Sequence, residues 1–284
     1  MSFISDGSRF AYSCKRDGHW YFVVDGVESE PYHDVGNHTI LFSPNSRQLA
    51  YFGIRNGKWI SVLDGKEGDS YDGMIKQSKA FSPDGEHISF LAIINDEKNP
   101  RKKHVILLTD GKQRGIAWNW LGLTIPRYSP DKKHIAFSFY SSRSKRNPKG
   151  FVVVDAKQTY GPYNMIAKGS IVFSRDGDHV AYCVLEKKRW KKVKGHIMVD
   201  GAEVKTTFEY VLHPVIFNPD GKSVIYRAFE NGAWSVAVEG VAGPFTFDRL
   251  LQGSTIVFDT RDQFHYLAVK DSRIYLVEET TKKW

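Results

Sequence analysis

The chain is poor in the residues that most often announce a function. Two cysteines in 284 residues are too few for a disulfide framework. No apolar run reaches 18 residues, which excludes a membrane-spanning helix, and the N-terminus has no charged segment followed by an apolar one, which excludes a secretory signal. A cytoplasmic location is the expectation. Helical periodicity is absent over any useful length. There is no GxSxG elbow, no GxxxxGK(S/T) loop, no GxGxxG, no HExxH and no zinc-type Cys/His spacing. No catalytic residue, cofactor or metal site is therefore read from a motif.

What the chain does have is a repeat. Phe3, Phe42, Phe81, Tyr128, Phe173, Phe217 and Phe258 are each followed nine residues later, or eight in the last copy, by Tyr12, Tyr51, Phe90, Phe137, Tyr182, Tyr226 and Tyr266. Successive copies start 39, 39, 47, 45, 44 and 41 residues apart, so one unit accounts for the whole chain as a single domain, residues 1–284. Between the aromatics lie turns such as FSPDGEHISF, FSRDGDHVAY and FNPDGKSVIY. Pro presets φ, Asp bonds its own backbone and Gly tolerates positive φ, so each copy opens with a hairpin.

A second apolar run follows, ending in Asp-Gly or a relative of it: WYFVVDG, WISVLDG, VILLTDG, FVVVDAK, HIMVDG, WSVAVEG and IYLVEET. A further aromatic (Tyr32, Tyr71, Tyr163, Phe208 or Phe245) usually comes next and marks an outermost strand. Four short strands repeated seven times predict an all-β, seven-bladed β-propeller with four-stranded antiparallel blades. The FSPDG…(I/V)AY…VVDG signature resembles the WD40-like (PD40) repeat of TolB-type propellers, also found in propeller domains that accompany prolyl-oligopeptidase-type peptidases. That resemblance covers all seven copies and implies a fold far more than an activity. Copy one starts almost at its turn and copy seven stops four residues after Thr280, before a clear outer strand. Closure thus relies on packing between blades, or the chain is an accessory segment of a longer protein.

Charge is unevenly placed. The inserts NDEKNPRKKH (95–104), SSRSKRNPKG (141–150) and EKKRWKKVKGH (186–196) carry +2, +4 and +5, or +11 together, against +8 for the chain, which leaves −3 elsewhere. All three fall between second and third strands of consecutive copies, and in a propeller those loops share one face. Lys98, Arg101, Lys102, Lys103, Arg143, Lys145, Arg146, Lys149, Lys187, Lys188, Arg189, Lys191, Lys192 and Lys194 would form one basic surface, with Trp190 placed to stack on a base or fill a partner's pocket, or to fold back onto its own blade. The bland alternative is a set of solvated loops.

The expected role is a non-catalytic interaction platform for an acidic protein surface first, and for nucleic acid or another polyanion second. The rival is an enzyme acting on an acidic glycan at the channel mouth, where His38, Lys79, Arg127, Lys168 and His213 sit at or near inter-blade connections. Asp6, Asp84, Asp131, Asp176 and Asp220 recur at one turn, and Asp25, Asp64, Asp110, Asp155 and Asp200 at another, which suits turn formation better than a unique site; calcium coordination is the alternative. His87, His134 and His179 share one register and read as exposed strand-edge residues. Trp20, Trp59 and Trp234 share another and read as packing between sheets. Cys14 and Cys183 lie in second strands of non-neighbouring copies and read as two buried free thiols.

Overall fold

The computed structural model describes residues 2–3, 8–36, 39–75, 78–99, 103–115, 120–123, 126–141, 148–186, 194–204, 208–251 and 253–282, with backbone alone at 2–3, 120–123 and 213. Among the described residues every regular element is a strand, and the strands form seven antiparallel sheets, one for each copy of the repeat. The second sheet shows the plan. An inner strand in two pieces, Asp34–Val35 and Leu41–Phe42, pairs with Leu49–Arg55, which pairs with Lys58–Leu63, which pairs with Lys66–Tyr71 on the outside.

Two compact units make up the chain: residues 1–128 with 139–143 and 154–158, and residues 129–138, 144–153 and 159–284. In the first unit, Phe22 and Tyr32 of the first sheet's copy pack with Leu49, Tyr51 and Val62 of the second, and Phe52 and Tyr71 pack with Ile88, Phe90 and Ile106 of the third. In the second unit, Ala181, Cys183 and Ile197 meet Phe208, Val215 and Tyr226, and Ile225, Val236 and Phe247 meet Phe264, Tyr266 and Val277. Second strands such as Val180–Glu186 are buried on consecutive residues because neighbouring sheets cover both their faces. This explains why they read as continuous apolar runs rather than as polar and apolar residues in alternation.

The recurring FSxDG segment is a hydrogen-bonded unit. Ser82, Ser129 and Ser174 each accept the backbone N–H five residues on at 3.0 Å, and each donates to the Asp two residues on. Asn218 plays the serine's part in copy six, accepting the Ser223 N–H at 2.9 Å. The second recurring Asp does two jobs. Asp25, Asp64, Asp110 and Asp200 open two-residue turns at φ between +46° and +50°, each followed by a glycine. Their carboxylates accept the first N–H of the second strand, from Phe10, Leu49, Ile88 and Val180, at 2.8–2.9 Å. Among the described residues no group of three His, Cys, Asp or Glu side chains could hold a metal ion, so within them the calcium alternative finds no site.

Both cysteines are free, and Cys183 is buried, its thiol pushed up to about 11 by that burial. Cys14 is only partly buried, which corrects the expectation for that residue; it lies in the second strand of the terminal first sheet. No helix is long and apolar enough to cross a membrane among the described residues.

Candidate functional site

The hairpin joining second and third strands comes in two kinds. In the first, second, sixth and seventh sheets it is a two-residue turn with both residues at positive φ: Asp17-Gly18, Asn56-Gly57, Asn231-Gly232 and Asp271-Ser272. This geometry matches the twist of the strands it joins. The third, fourth and fifth sheets carry the basic inserts at the same place. The insert of the third sheet springs from the pair Asn95↔Lys103 and that of the fifth sheet from Glu186↔Lys194.

Acidic groups anchor the roots of these inserts. Asp96 accepts the N–H groups of Lys98 and Asn99 at 3.0 Å and lies 2.9 Å from His104 Nε2. Asp72 accepts the Asn95 N–H at 2.8 Å and pairs with Lys58, whose hydrogen bond holds the carboxylate below its usual range. His196 lies between Glu203, at 2.5 Å, and Glu186, at 3.8 Å. Lys98 and Lys103 are exposed, Lys149 reaches Asn164, and Lys194 is partly buried. Arg101, Lys102, Arg143, Lys145, Arg146, Lys187, Lys188, Arg189, Trp190, Lys191 and Lys192 lie outside the described residues.

Of the five residues expected at the channel mouth, His38 and the side chain of His213 are also outside the described set. Lys79 precedes the inner strand Ala80–Phe81, Arg127 opens Arg127–Tyr128, and Lys168 stands between Met165–Ile166 and Val172–Phe173. These three lie at or next to inner-strand pieces of their copies but at different registers, two, one and five residues before the first aromatic. Lys79 is half-buried with its ammonium 5.4 Å from the Phe52 ring centroid, and burial pushes it down to about 8. Arg127 and Lys168 are exposed.

The shared histidine register proves to be a contact point between copies. Arg9 lies 5.5 Å over the Phe42 ring, and His134 and His179 stack on Phe173 and Phe217 at 6.5 and 6.4 Å. In these three pairs the first aromatic of one copy receives a flat or cationic side chain from the copy before it. Arg9, His87 and His179 also bond the turn carboxylates of Asp25, Asp110 and Asp200 at 2.9, 2.7 and 2.6 Å. That Asp200 contact raises the His179 pKa. These residues are ligands of a turn as well as occupants of a strand edge.

Two grooves accompany these elements. One, of about 480 Å³ in the first unit, is lined in part by Tyr32, Tyr51 and Glu67; Tyr32 donates to Glu67 at 3.0 Å and Arg55 forks onto the same carboxylate at 2.8 and 2.9 Å. The other, of about 490 Å³ in the second unit, is lined by Phe245, Asp259, Glu278 and Glu279 among others. The sequence assigned Phe245 to an outermost strand. Instead it is 48% exposed and lines this groove, while Phe247 is buried and bridges to Trp234.

Glu279 stands where the other copies have their turn aspartate, or Glu239 in copy six, but the strand runs straight through it. Its side chain is buried, takes a hydrogen bond from Tyr266 at 2.7 Å, and leaves Oε2 without a partner. Burial pushes it up to about 7. No motif pointed to this residue; the only signal was that the last apolar run ends in EET rather than Asp-Gly.

No known family's sequence profile matches the chain, and no curated protein matches it by sequence. Solved structures do. A eukaryotic initiation factor is similar over 98% of this chain and 77% of its own, at 11% identity and a TM-score of 0.53. TolB from Acinetobacter baumannii is similar over 81% of this chain and 60% of its own, at 18% identity and a TM-score of 0.33. The β-propeller domain of the trilobed protease from Pyrococcus furiosus is similar over 97% and 92%, at 10% identity and a TM-score of 0.39. The chain therefore spans about three fifths of the length of that TolB. At these identities the likeness is one of fold.

Proposed function

We propose that the chain is a seven-bladed β-propeller that acts as a non-catalytic interaction platform, engaging an acidic protein surface, or nucleic acid, through a basic face built by residues 95–104, 141–150 and 186–196. One observation carries this reading. Four sheets close the hairpin between second and third strands with two residues, whereas three consecutive copies replace that turn with inserts that hold more than the whole net charge. Long loops at a position that needs only two residues commonly carry function, because the scaffold does not require them. In a propeller, equivalent hairpins of consecutive blades project side by side, which turns three charge runs into one surface.

The test is fluorescence anisotropy with RNA, DNA, heparin and an acidic peptide across a salt titration, comparing the intact chain with a variant whose 187–194 lysines and arginine are neutralised. The expected result is salt-sensitive binding that the variant loses, with the order of ligands naming the partner class. Equal binding by both chains would remove the basic face as the working surface. Absence of binding to every polyanion would shift attention to the inner ends of the sheets, around Lys79, and to turnover of acidic glycans.

A further inference from the structure

The groove of about 480 Å³ lies between the first and second copies, and a smaller twin lies between the second and third. Equivalent positions line both. Leu49 and Tyr51 in the first correspond to Ile88 and Phe90 in the twin, and Asp64-Gly65 corresponds to Asp110-Gly111. The twin measures only about 150 Å³. Two differences within the repeat set them apart. Lys66 lines the twin where Val27 lines the first groove, each being the second residue after its turn aspartate. His87 bonds Asp110 at 2.7 Å, whereas the same register in copy two holds Gln48. The Asp64 carboxylate accepts the Leu49 N–H through Oδ1 at 2.8 Å and, among the described residues, meets no side-chain cation. In the twin the chain itself engages the turn carboxylate and supplies a lysine to the lining; in the first groove it does neither.

We infer that the groove between the first two copies binds a basic peptide segment in which an aromatic residue is flanked by lysine or arginine. The lining accounts for the aromatic residue. Phe22, Tyr32, Leu49 and Tyr51 are buried within it, while Val27, 72% exposed, leaves apolar surface in water. A ring laid against Val27 removes that surface from water. The volume lies in the range of about 300–1,000 Å³ that suits a ligand of a few side chains.

The charges account for the flanking cations. Five carboxylates line the groove, and three are already engaged: Asp25 by Arg9 at 2.9 Å, Glu28 by Arg16 at 2.6 Å and Glu67 by Arg55 at 2.8 Å. Asp64 and Glu30 keep their charge without a side-chain cation among the described residues, and both are exposed. An ammonium or guanidinium group from a partner completes at Asp64 the arrangement that Arg9 makes at Asp25, and charge-assisted bonds of this kind are the strong ones. The chain as a whole, at +8, repels a cationic peptide, so attachment of one reports a local acidic site. This groove therefore selects ligands of the sign opposite to those proposed for the basic inserts.

The test titrates the intact chain into the peptides KKWKK, KKGKK and QQWQQ, each carrying an uncharged dye, and follows anisotropy at low ionic strength. KKWKK is expected to bind, and the other two to bind about tenfold more weakly or less, since each lacks one half of the match. Asp64→Asn combined with Glu30→Gln is expected to weaken KKWKK about tenfold. Asparagine keeps an oxygen for the Leu49 N–H and tolerates the left-handed φ of +46°, so the turn is retained. Val27→Lys, which places the twin's lysine at an exposed position of the first groove, is expected to weaken KKWKK as much, and it decides the matter should the double variant fold poorly. Neutralising the 187–194 insert should leave KKWKK binding unchanged, which separates a failure of this site from a failure of the basic face. No binding of KKWKK, equal binding of QQWQQ, or an affinity that either well-folded groove variant leaves unaltered would overturn the inference.

Discussion

Single carboxylates hold this repeat together, and they differ in what they cost. Asp110 accepts the Ile88 N–H, bonds His87 and adopts φ +50°, so Asp110→Ala removes two partners and leaves alanine in the left-handed region. Together these are expected to cost about 2 kcal/mol, read as a lower midpoint in urea unfolding with an unchanged slope. Glu279 is the opposite case. Its folded pKa of about 7 lies above the ordinary 4.5, so its contribution to stability is fully present below pH 4.5 and is lost as the pH rises through 7. The melting temperature should fall from pH 5 to pH 8. Glu279→Gln should flatten that dependence and stabilise the chain at pH 8 by about 3 kcal/mol at most. An equal fall with pH in both proteins would show that other groups set it.

At the scale of elements, the repeat was legible because its turns need particular residues. Asp-Gly pairs at positive φ and Ser-x-Asp units state their geometry in the sequence, and the seven aromatic pairs place the sheets. Contacts between copies were much less legible. Nothing in the spacing says that His134 and His179 stack on the aromatic of the next copy, or that Phe247 rather than Phe245 is buried, because such choices depend on a neighbouring sheet. Glycine reports the same neighbours. A β-carbon at Gly53 would lie 2.4 Å from the Tyr32 ring of the first copy, so Gly53→Ala is expected to destabilise by about 1–3 kcal/mol despite the better strand propensity of alanine. A melting temperature equal to that of the parent chain would show that Tyr32 moves aside freely.

For the whole molecule, the sequence foretold the architecture in outline, since that is a sum over many residues. The partner remains a proposal because it depends on how the inserts present their side chains. Two expectations follow at this scale. Both cysteines are free, so a reducing agent should leave the melting temperature unchanged, and a drop would reveal a covalent link. If nucleic acid is the partner, the slope of log affinity against log salt should shrink by about one for each phosphate contact removed with the 187–194 charges. A slope that stays constant would mean that those residues neutralise no phosphate.

The turns that open each copy also touch one another along the chain. Asn45 bonds the Asp84 carbonyl, Gly177 lies against Asp131, Gly221 lies against Asp176, and Arg261 pairs with Asp220. Each of these four links joins a copy to its immediate successor through the same few positions. Such a joint is interchangeable. A gene that gains or loses one period by unequal recombination still encodes turns that fit their new neighbours, so the number of copies is freer to drift in descent than the sequence of any one of them.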